Sequence, residues 1–288
     1  MVDQSRLWDA HAAATYDTPD EGMFAPEVLG PTVERLHELA AGGPALELAI
    51  GTGRVAIPLR ERGTAVSGIE LSAPMLARLR EKATEEEIPV VHGDMTTARA
   101  GEGFSLVYLV FNTISNLLTQ EQQVECFRNA AAQLAPGGCF VIELWVPQLR
   151  SLAPGHGGTV EVSEPGYLLV DTYDTLAQQV VSHHVRFEAA VDGARGARIG
   201  RTPHRYVWPA ELDLMAQLAG LERESRWTDW DRSAFTADSR SHVSVYRKPA
   251  AVSLDCAGER RRCPRDLVRP ERRGRARADR PAQRDRPP

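Results

Sequence analysis

The chain almost lacks lysine. Among its 288 residues only Lys82 and Lys248 occur, and arginine carries the rest of the positive charge. With abundant Ala and Gly, this usage reflects a GC-rich coding sequence and no particular chemistry. A cysteine framework is missing too. Cys126, Cys139, Cys256 and Cys263 form no C-x-x-C pair and no metal-ligand spacing, so reduced thiols are expected. No stretch approaches the ~18 consecutive apolar residues of a membrane span. Met1 to Thr18 holds early acids where a secretory signal has an apolar core. Neither export nor a membrane is expected, which points to the cytoplasm. A net charge of −5 gives no support to a nucleic-acid binder.

That charge averages two unlike parts. Residues 1–249 carry 22 basic and 33 acidic side chains, a balance of −11. Residues 250–288 carry 12 Arg and 6 acids, a balance of +6. This last stretch is Arg- and Pro-rich, has no helical or strand period, and holds few large apolar residues. It is expected to be disordered. Its composition suits an unrelated extension or a GC-rich gene read out of frame.

The rest reads as alternating short apolar runs and helical patterns. Pro31 fits the first position of a helix with Val33, Leu36, Leu39 and Ala40 on one face, ended by Gly42-Gly43-Pro44. Strands are predicted at Ala45–Ile50, Ala65–Glu70, Ile88–His92, Phe104–Phe111 and Cys139–Val146. Helices are predicted between them at Arg54–Arg62, Ala73–Glu86 and Glu121–Leu134, the last ended by Pro136-Gly137-Gly138. Nearly continuous apolar strands alternating with helices argue for a parallel sheet covered on both faces. After residue 150 the pattern becomes strand-rich. Val160–Val162, Tyr167–Thr175, Gln179–Ala189 and Ile199–Trp208 read as strands, with a turn at Asp192-Gly193. A helix at Pro209–Ala219 and strands at Leu221–Asp231 and His242–Arg247 follow.

The most informative segment is Glu47-Leu48-Ala49-Ile50-Gly51-Thr52-Gly53-Arg54. Two glycines between a buried strand and a helix let backbone approach a ligand closely. The helix start presents free N–H groups there. Glu70 ends the next strand 19 residues after Gly51 and can accept both hydroxyls of a ribose. The combination specifies an adenosine-containing cofactor. Gly51-x-Gly53-x-x-Ala56 also satisfies a dinucleotide fingerprint. Glu47 separates the choices: a buried acid in that strand is costly unless partnered, and a cofactor bearing an ammonium or sulfonium would favour it. Asp94 in His92-Gly93-Asp94-Met95 can accept from an adenine amino group.

Glu-x-Ala-x-Gly-x-Gly, then Gly68-Ile69-Glu70-Leu71-Ser72-Ala73-Pro74-Met75, then Gly93-Asp94-Met95, then Leu134-Ala135-Pro136-Gly137-Gly138 together resemble the class I S-adenosylmethionine-dependent methyltransferases, small-molecule type. Motif order and spacing match over residues 30–146, with weaker similarity to about Lys248. Ala49 stands where the family usually has Gly. The resemblance implies an α/β, Rossmann-like, doubly wound sheet of seven strands, mostly parallel with an antiparallel last strand, plus a strand-rich insert. The methyltransferase domain would span 1–249, with the cofactor-binding core at 30–146, a substrate cap at 150–208 and the tail at 250–288.

It also implies residue roles. Gly51 and Gly53, with Ala49, would line the methionine part of S-adenosylmethionine, and Glu47 would help anchor it. Glu70 and Leu71 would meet the ribose, Met75 the adenine, and Asp94 with the Met95 backbone the adenine amino group. Phe111 and Asn112 would border the methyl group and the acceptor. Tyr16-Asp17 resembles an N-terminal Tyr-Asp that covers the cofactor in small-molecule members; a surface tyrosine in a loose helix is the plain alternative.

Methyl transfer is a displacement at a sulfonium carbon, so the protein aligns the reactants and excludes water. A general base is needed only when the nucleophile carries a proton of high pKa. His183, His184 and His204 are the candidate catalytic groups. His183 and His184 are adjacent on a strand and must face opposite ways, so no metal site is expected. The expected partner is a small-molecule acceptor taking the methyl on N or O. A homodimer is compatible with the sequence, whereas nucleic acid and membrane are not expected partners. A catalytically silent cofactor-binding regulatory protein and an NAD-dependent oxidoreductase are the competing readings.

Overall fold

The computed structural model describes residues 7–187 and 196–250. Ala45–Leu48 (β1) is buried along its whole length and pairs in parallel with Val66–Glu70 (β2) on one side and Phe104–Leu109 (β4) on the other. Val90–His92 (β3) extends the sheet beyond β2, and Leu134–Trp145 (β5) extends it beyond β4. Ser241–Arg247 (β11) runs antiparallel to β5 and carries Glu222–Trp227 (β10) at the edge. The order β10-β11-β5-β4-β1-β2-β3 is a seven-stranded sheet in which only β11 is reversed. Strand order turns back between β1 and β4, where α/β sheets bind ligands at the carboxyl ends of their strands.

Each face of this sheet buries a separate apolar cluster. Pro26–Ala40 (α2), Ala56–Glu61 (α3) and Ala73–Arg80 (α4) place Val33, Leu36, Leu59 and Leu79 against one face. Gln120–Gln133 (α5) and Pro209–Leu218 (α6) place Phe127, Ala130, Leu212 and Met215 against the other. Each fully buried leucine contributes about 1.5–3 kcal/mol relative to an exposed one. Helix α5 starts at a capping box in which the Thr119 hydroxyl and the Gln122 side chain satisfy each other's backbone N–H groups.

Three sequence expectations need correction. The helix expected to begin at Pro31 begins at Pro26, which takes the first position, so Pro31 lies inside it. The exposed turn at Glu27 leaves the carbonyl that Pro31 cannot satisfy open to water. The helix expected to reach Glu86 stops at Arg80. Three consecutive glutamates, Glu85 to Glu87, would sit at its negative C-terminal end. Instead the Arg80 guanidinium caps the carbonyls of Ala83, Thr84 and Ile88. Finally, Pro136-Gly137-Gly138 does not separate helix from strand. β5 starts at Leu134, and the register jumps from Phe104–Leu134 to Leu106–Cys139, so the Pro-Gly-Gly segment bulges out of the ladder.

Residues after β5 build a second, antiparallel sheet in the order β6-β7-β8-β9: Gly158–Glu164, Tyr167–Asp174, Gln179–Phe187 and Ala197–Arg205. The Asp192-Gly193 turn, the expected extension of β8 to Ala189, and the tail with Cys256 and Cys263 lie outside the described residues. Cys126 and Cys139 are buried and unpaired.

Gly68 on β2 is a tight spot: a Cβ there would lie 2.6 Å from Ile50 Cδ1. Gly68→Ala is therefore expected to destabilise the protein by about 1–3 kcal/mol through overpacking, read as a lower urea midpoint with unchanged slope.

Candidate active site

The turn after β1 is built from left-handed backbone. Ala49, Gly51 and Gly53 have φ of 53°, 58° and 84°. Glycine adopts this region freely, whereas at Ala49 it costs about 1–2 kcal/mol. The turn is held from β2. The Gly51 N–H donates to Glu70 Oε2 and the Ser72 N–H donates to Glu70 Oε1, each at 2.7 Å. Burial raises the Glu70 pKa above its ordinary value, and these backbone donors oppose the rise. A carboxylate oxygen accepts two bonds. The acceptor capacity left on the Glu70 carboxylate suits the vicinal hydroxyls of a ribose.

A cavity of about 600 Å³ opens over this edge of the sheet. Tyr16, Ala49, Gly51, Glu70, Leu71, Met75, Asp94, Met95, Phe111 and Asn112 all line it. Two expected residues do not. A Cβ on Gly53 would lie 2.4 Å from Leu79 Cδ1, so Gly53 lets the turn pack onto α4. Glu47 sits behind the wall, where the Tyr108 hydroxyl donates to its carboxylate at 2.9 Å. Burial pushes the Glu47 pKa up to about 8, although the Tyr108 hydrogen bond and the Arg54 charge act the other way. Farther along the cavity, Asp94 Oδ1 accepts from the Thr96 N–H and hydroxyl at 2.7 and 2.8 Å.

The N-terminal segment closes one side. Tyr16, at the end of Ala10–Tyr16 (α1), stands edge-on between Trp8 and Phe24, with ring centroids 5.7 and 6.0 Å away. Asp17 accepts from the Thr52 hydroxyl at 2.6 Å and pairs with Lys82 at 2.8 Å. The Ser72 hydroxyl donates to the Trp8 carbonyl at 2.6 Å. Arg54 donates to the Met23 carbonyl and lies 5.1 Å over the Phe111 ring. Phe111 and Asn112 are themselves left-handed, with φ of 54° and 64°. Glu143 accepts from the Phe111 N–H at 2.8 Å, and Asn112 Oδ1 accepts from the Trp145 N–H at 2.7 Å. Together these bonds hold a backbone strained on the order of 1–3 kcal/mol per residue.

The antiparallel sheet forms the opposite wall with Glu161, Leu169, Asp171, Tyr173, Val180, Ser182 and His204. His204 is thus at the cavity, and its enclosed Nδ1 has no partner there. Burial, reinforced by the charge of His184, pushes its pKa down to about 4. His184 bonds the Tyr167 hydroxyl at 2.7 Å and His183 bonds the Thr172 hydroxyl at 3.0 Å; neither lines the cavity. Sequence reasoning missed Trp8, Glu161 and Asp171. Asp171 had a signal: it breaks the apolar alternation Leu169/Asp171/Tyr173 on β7. Glu161 had none, because its position depends on a bulge.

Known proteins share this fold. A model of the methyltransferase domain matches residues 45–138. The CcbJ methyltransferase of Streptomyces caelestis is 37% identical, with a TM-score of 0.74 over 86% of this chain and 100% of that one. The cypemycin N-terminal methyltransferase of Streptomyces sp is 26% identical over 251 residues, covering 86% of this chain and 100% of its own length. A dTDP-3-amino-3,6-dideoxy-alpha-D-glucopyranose N,N-dimethyltransferase of Streptomyces fradiae is 35% identical over 119 residues, 40% of this chain and 45% of that one. The chain belongs to the class I S-adenosylmethionine-dependent methyltransferase family. It is a methyltransferase, and S-adenosylmethionine is its cofactor.

Glu47 is expected to make the protein's stability depend on pH. Its folded pKa of about 8 lies above the unfolded value, so the folded state binds the extra proton and stability falls as pH rises between the two. The slope approaches about 1.4 kcal/mol per pH unit. Thermal unfolding between pH 5 and 8, scanned without cofactor, is expected to show a falling midpoint that Glu47→Gln flattens.

Proposed function

We propose that the enzyme transfers the methyl group to a nitrogen of a small molecule. The observation that carries this reading is that neither His204 nor Tyr173 on the cap wall can take the proton of an alcohol at neutral pH, one being too weakly basic and the other staying protonated. His204 is pushed down to about 4, and the Tyr173 phenol is pushed up to about 12 by burial and the Asp171 charge. An alcohol needs a strong base to attack at neutral pH, whereas an uncharged amine brings its own lone pair. Two relatives, by name a cypemycin N-terminal methyltransferase and an aminosugar N,N-dimethyltransferase, support the same reading.

S-Adenosylmethionine, when bound, supplies a methyl on a sulfonium with its leaving group built in. The chain's residues do the rest. Glu70 accepts from the ribose, with Leu71 beside it. Met75, Asp94 and Met95 hold the adenine. Ala49 and Gly51 form the turn against the methionine part, which Tyr16 covers, and Glu47 lies buried behind that turn. Phe111 and Asn112 border the transferred methyl. The sheet β6–β9 serves as the acceptor's cap and excludes water. His204 accepts a hydrogen bond from the acceptor and orients it.

A competition panel tests this reading. Primary and secondary amines are expected to be methylated while their hydroxyl-matched analogues are not. His204→Asn is expected to lower kcat less than about tenfold, against the 10²–10⁴-fold cost of losing a general base. His183→Ala should leave it unchanged. Turnover of the alcohols with the amines inert would overturn the proposal.

A further inference from the structure

The cap wall carries two carboxylates that the methyl-transfer reading does not use. Along β6 the register passes from Val160–Val170 to Val162–Leu169, leaving Glu161 unpaired in a bulge. Bulges re-aim side chains next to active sites, and Glu161 lines the cavity. Asp171 lies on the adjacent strand β7, where Thr159 of β6 is its register partner. Ser182 of β8 is its register partner on the other side, and that side chain lowers the Asp171 pKa. Its Oδ1 is enclosed yet has no hydrogen-bond partner, although a buried carboxylate oxygen costs free energy when unsatisfied. Burial raises the Asp171 pKa and the neighbouring Glu161 charge adds to the rise, while the His184 and His183 charges oppose it. Among the described residues at the cavity, Arg240 is the one lysine or arginine.

We propose that Glu161 and Asp171 form the subsite that recognises the acceptor's basic nitrogen as an ammonium group. The acceptor is then a small molecule carrying an amine that is protonated in solution, drawn in by the carboxylate pair. An ammonium N–H satisfies the bare Asp171 oxygen, and charge-assisted bonds of this kind are roughly twice as strong as neutral ones. The proton that must leave before attack has a carboxylate beside it. A hydroxyl or an ether oxygen offers no charge to the pair, so the subsite separates amines from isosteric alcohols before chemistry begins. This inference rests on the reading of an amine acceptor.

Its test is a binding measurement that needs no turnover. The full chain, saturated with S-adenosylhomocysteine, is titrated at neutral pH with pyrrolidine, which is cationic there, and with cyclopentanol, its uncharged counterpart. Pyrrolidine is expected to bind at least about tenfold more tightly, and Asp171→Asn and Glu161→Gln each to erase most of that preference while S-adenosylhomocysteine affinity stays unchanged. Glu161 is exposed, so its variant keeps the test sound if the Asp171 variant folds poorly. Equal binding of the two probes to the unaltered chain would overturn the subsite. So would variants that keep the preference in full. The two proposals fail separately: an enzyme that methylates only alcohols yet still prefers pyrrolidine loses the amine reading and keeps the subsite.

Discussion

The Glu70 carboxylate, bridging the Gly51 and Ser72 amides, is the constraint on which the site depends. It ties the turn after β1 to the end of β2, so two neighbouring parallel strands finish in one rigid edge. Ligands of such sheets collect where the strand order reverses, and here that point lies beside the same turn. The Thr52–Asp17 and Ser72–Trp8 bonds then fasten the N-terminal segment to this edge. Removing the bridge would loosen the turn and its covering helix together.

The cavity divides into two chemically distinct walls. The sheet edge offers the Glu70 carboxylate, Asp94 and the apolar side chain of Met75. The antiparallel sheet offers Asp171, Glu161, Ser182 and a neutral His204. The first wall suits a nucleoside and the second a polar, basic acceptor. Phe111 and Asn112 stand where the walls meet. Their left-handed backbone is held by Glu143 and by the Trp145 N–H, so this junction is fixed by strand β5 rather than by a free loop.

Much of this was legible in the sequence, for identifiable reasons. Strands β1, β2 and β4 are buried on both faces and read as nearly continuous apolar runs. The Gly51 turn was legible because only small residues tolerate its backbone, and Glu70 because a carboxylate ending a buried strand needs partners. The misreadings have equally physical causes. Pro31 looked like a helix start because proline is favoured there, yet Pro26 occupied that position first. Gly137 and Gly138 looked like a break, yet a bulge kept the strand going. The histidines drew attention as titratable groups, but register turns His183 away from the cavity and burial weakens His204 as a base. Glu161 was out of reach, because a bulge follows from pairing and not from local composition.

The central claim is that the Glu70 bridge forms the cofactor's ribose site, and a calorimetric titration of S-adenosylhomocysteine tests it most directly. Comparing the unaltered chain with Glu70→Ala, while circular dichroism monitors the fold, isolates the carboxylate's share. Loss of hydrogen bonds to a charged acceptor costs about 1.5–3 kcal/mol, so affinity is predicted to fall about 10- to 100-fold with the fold intact. Unchanged affinity in a folded Glu70→Ala variant would contradict the account.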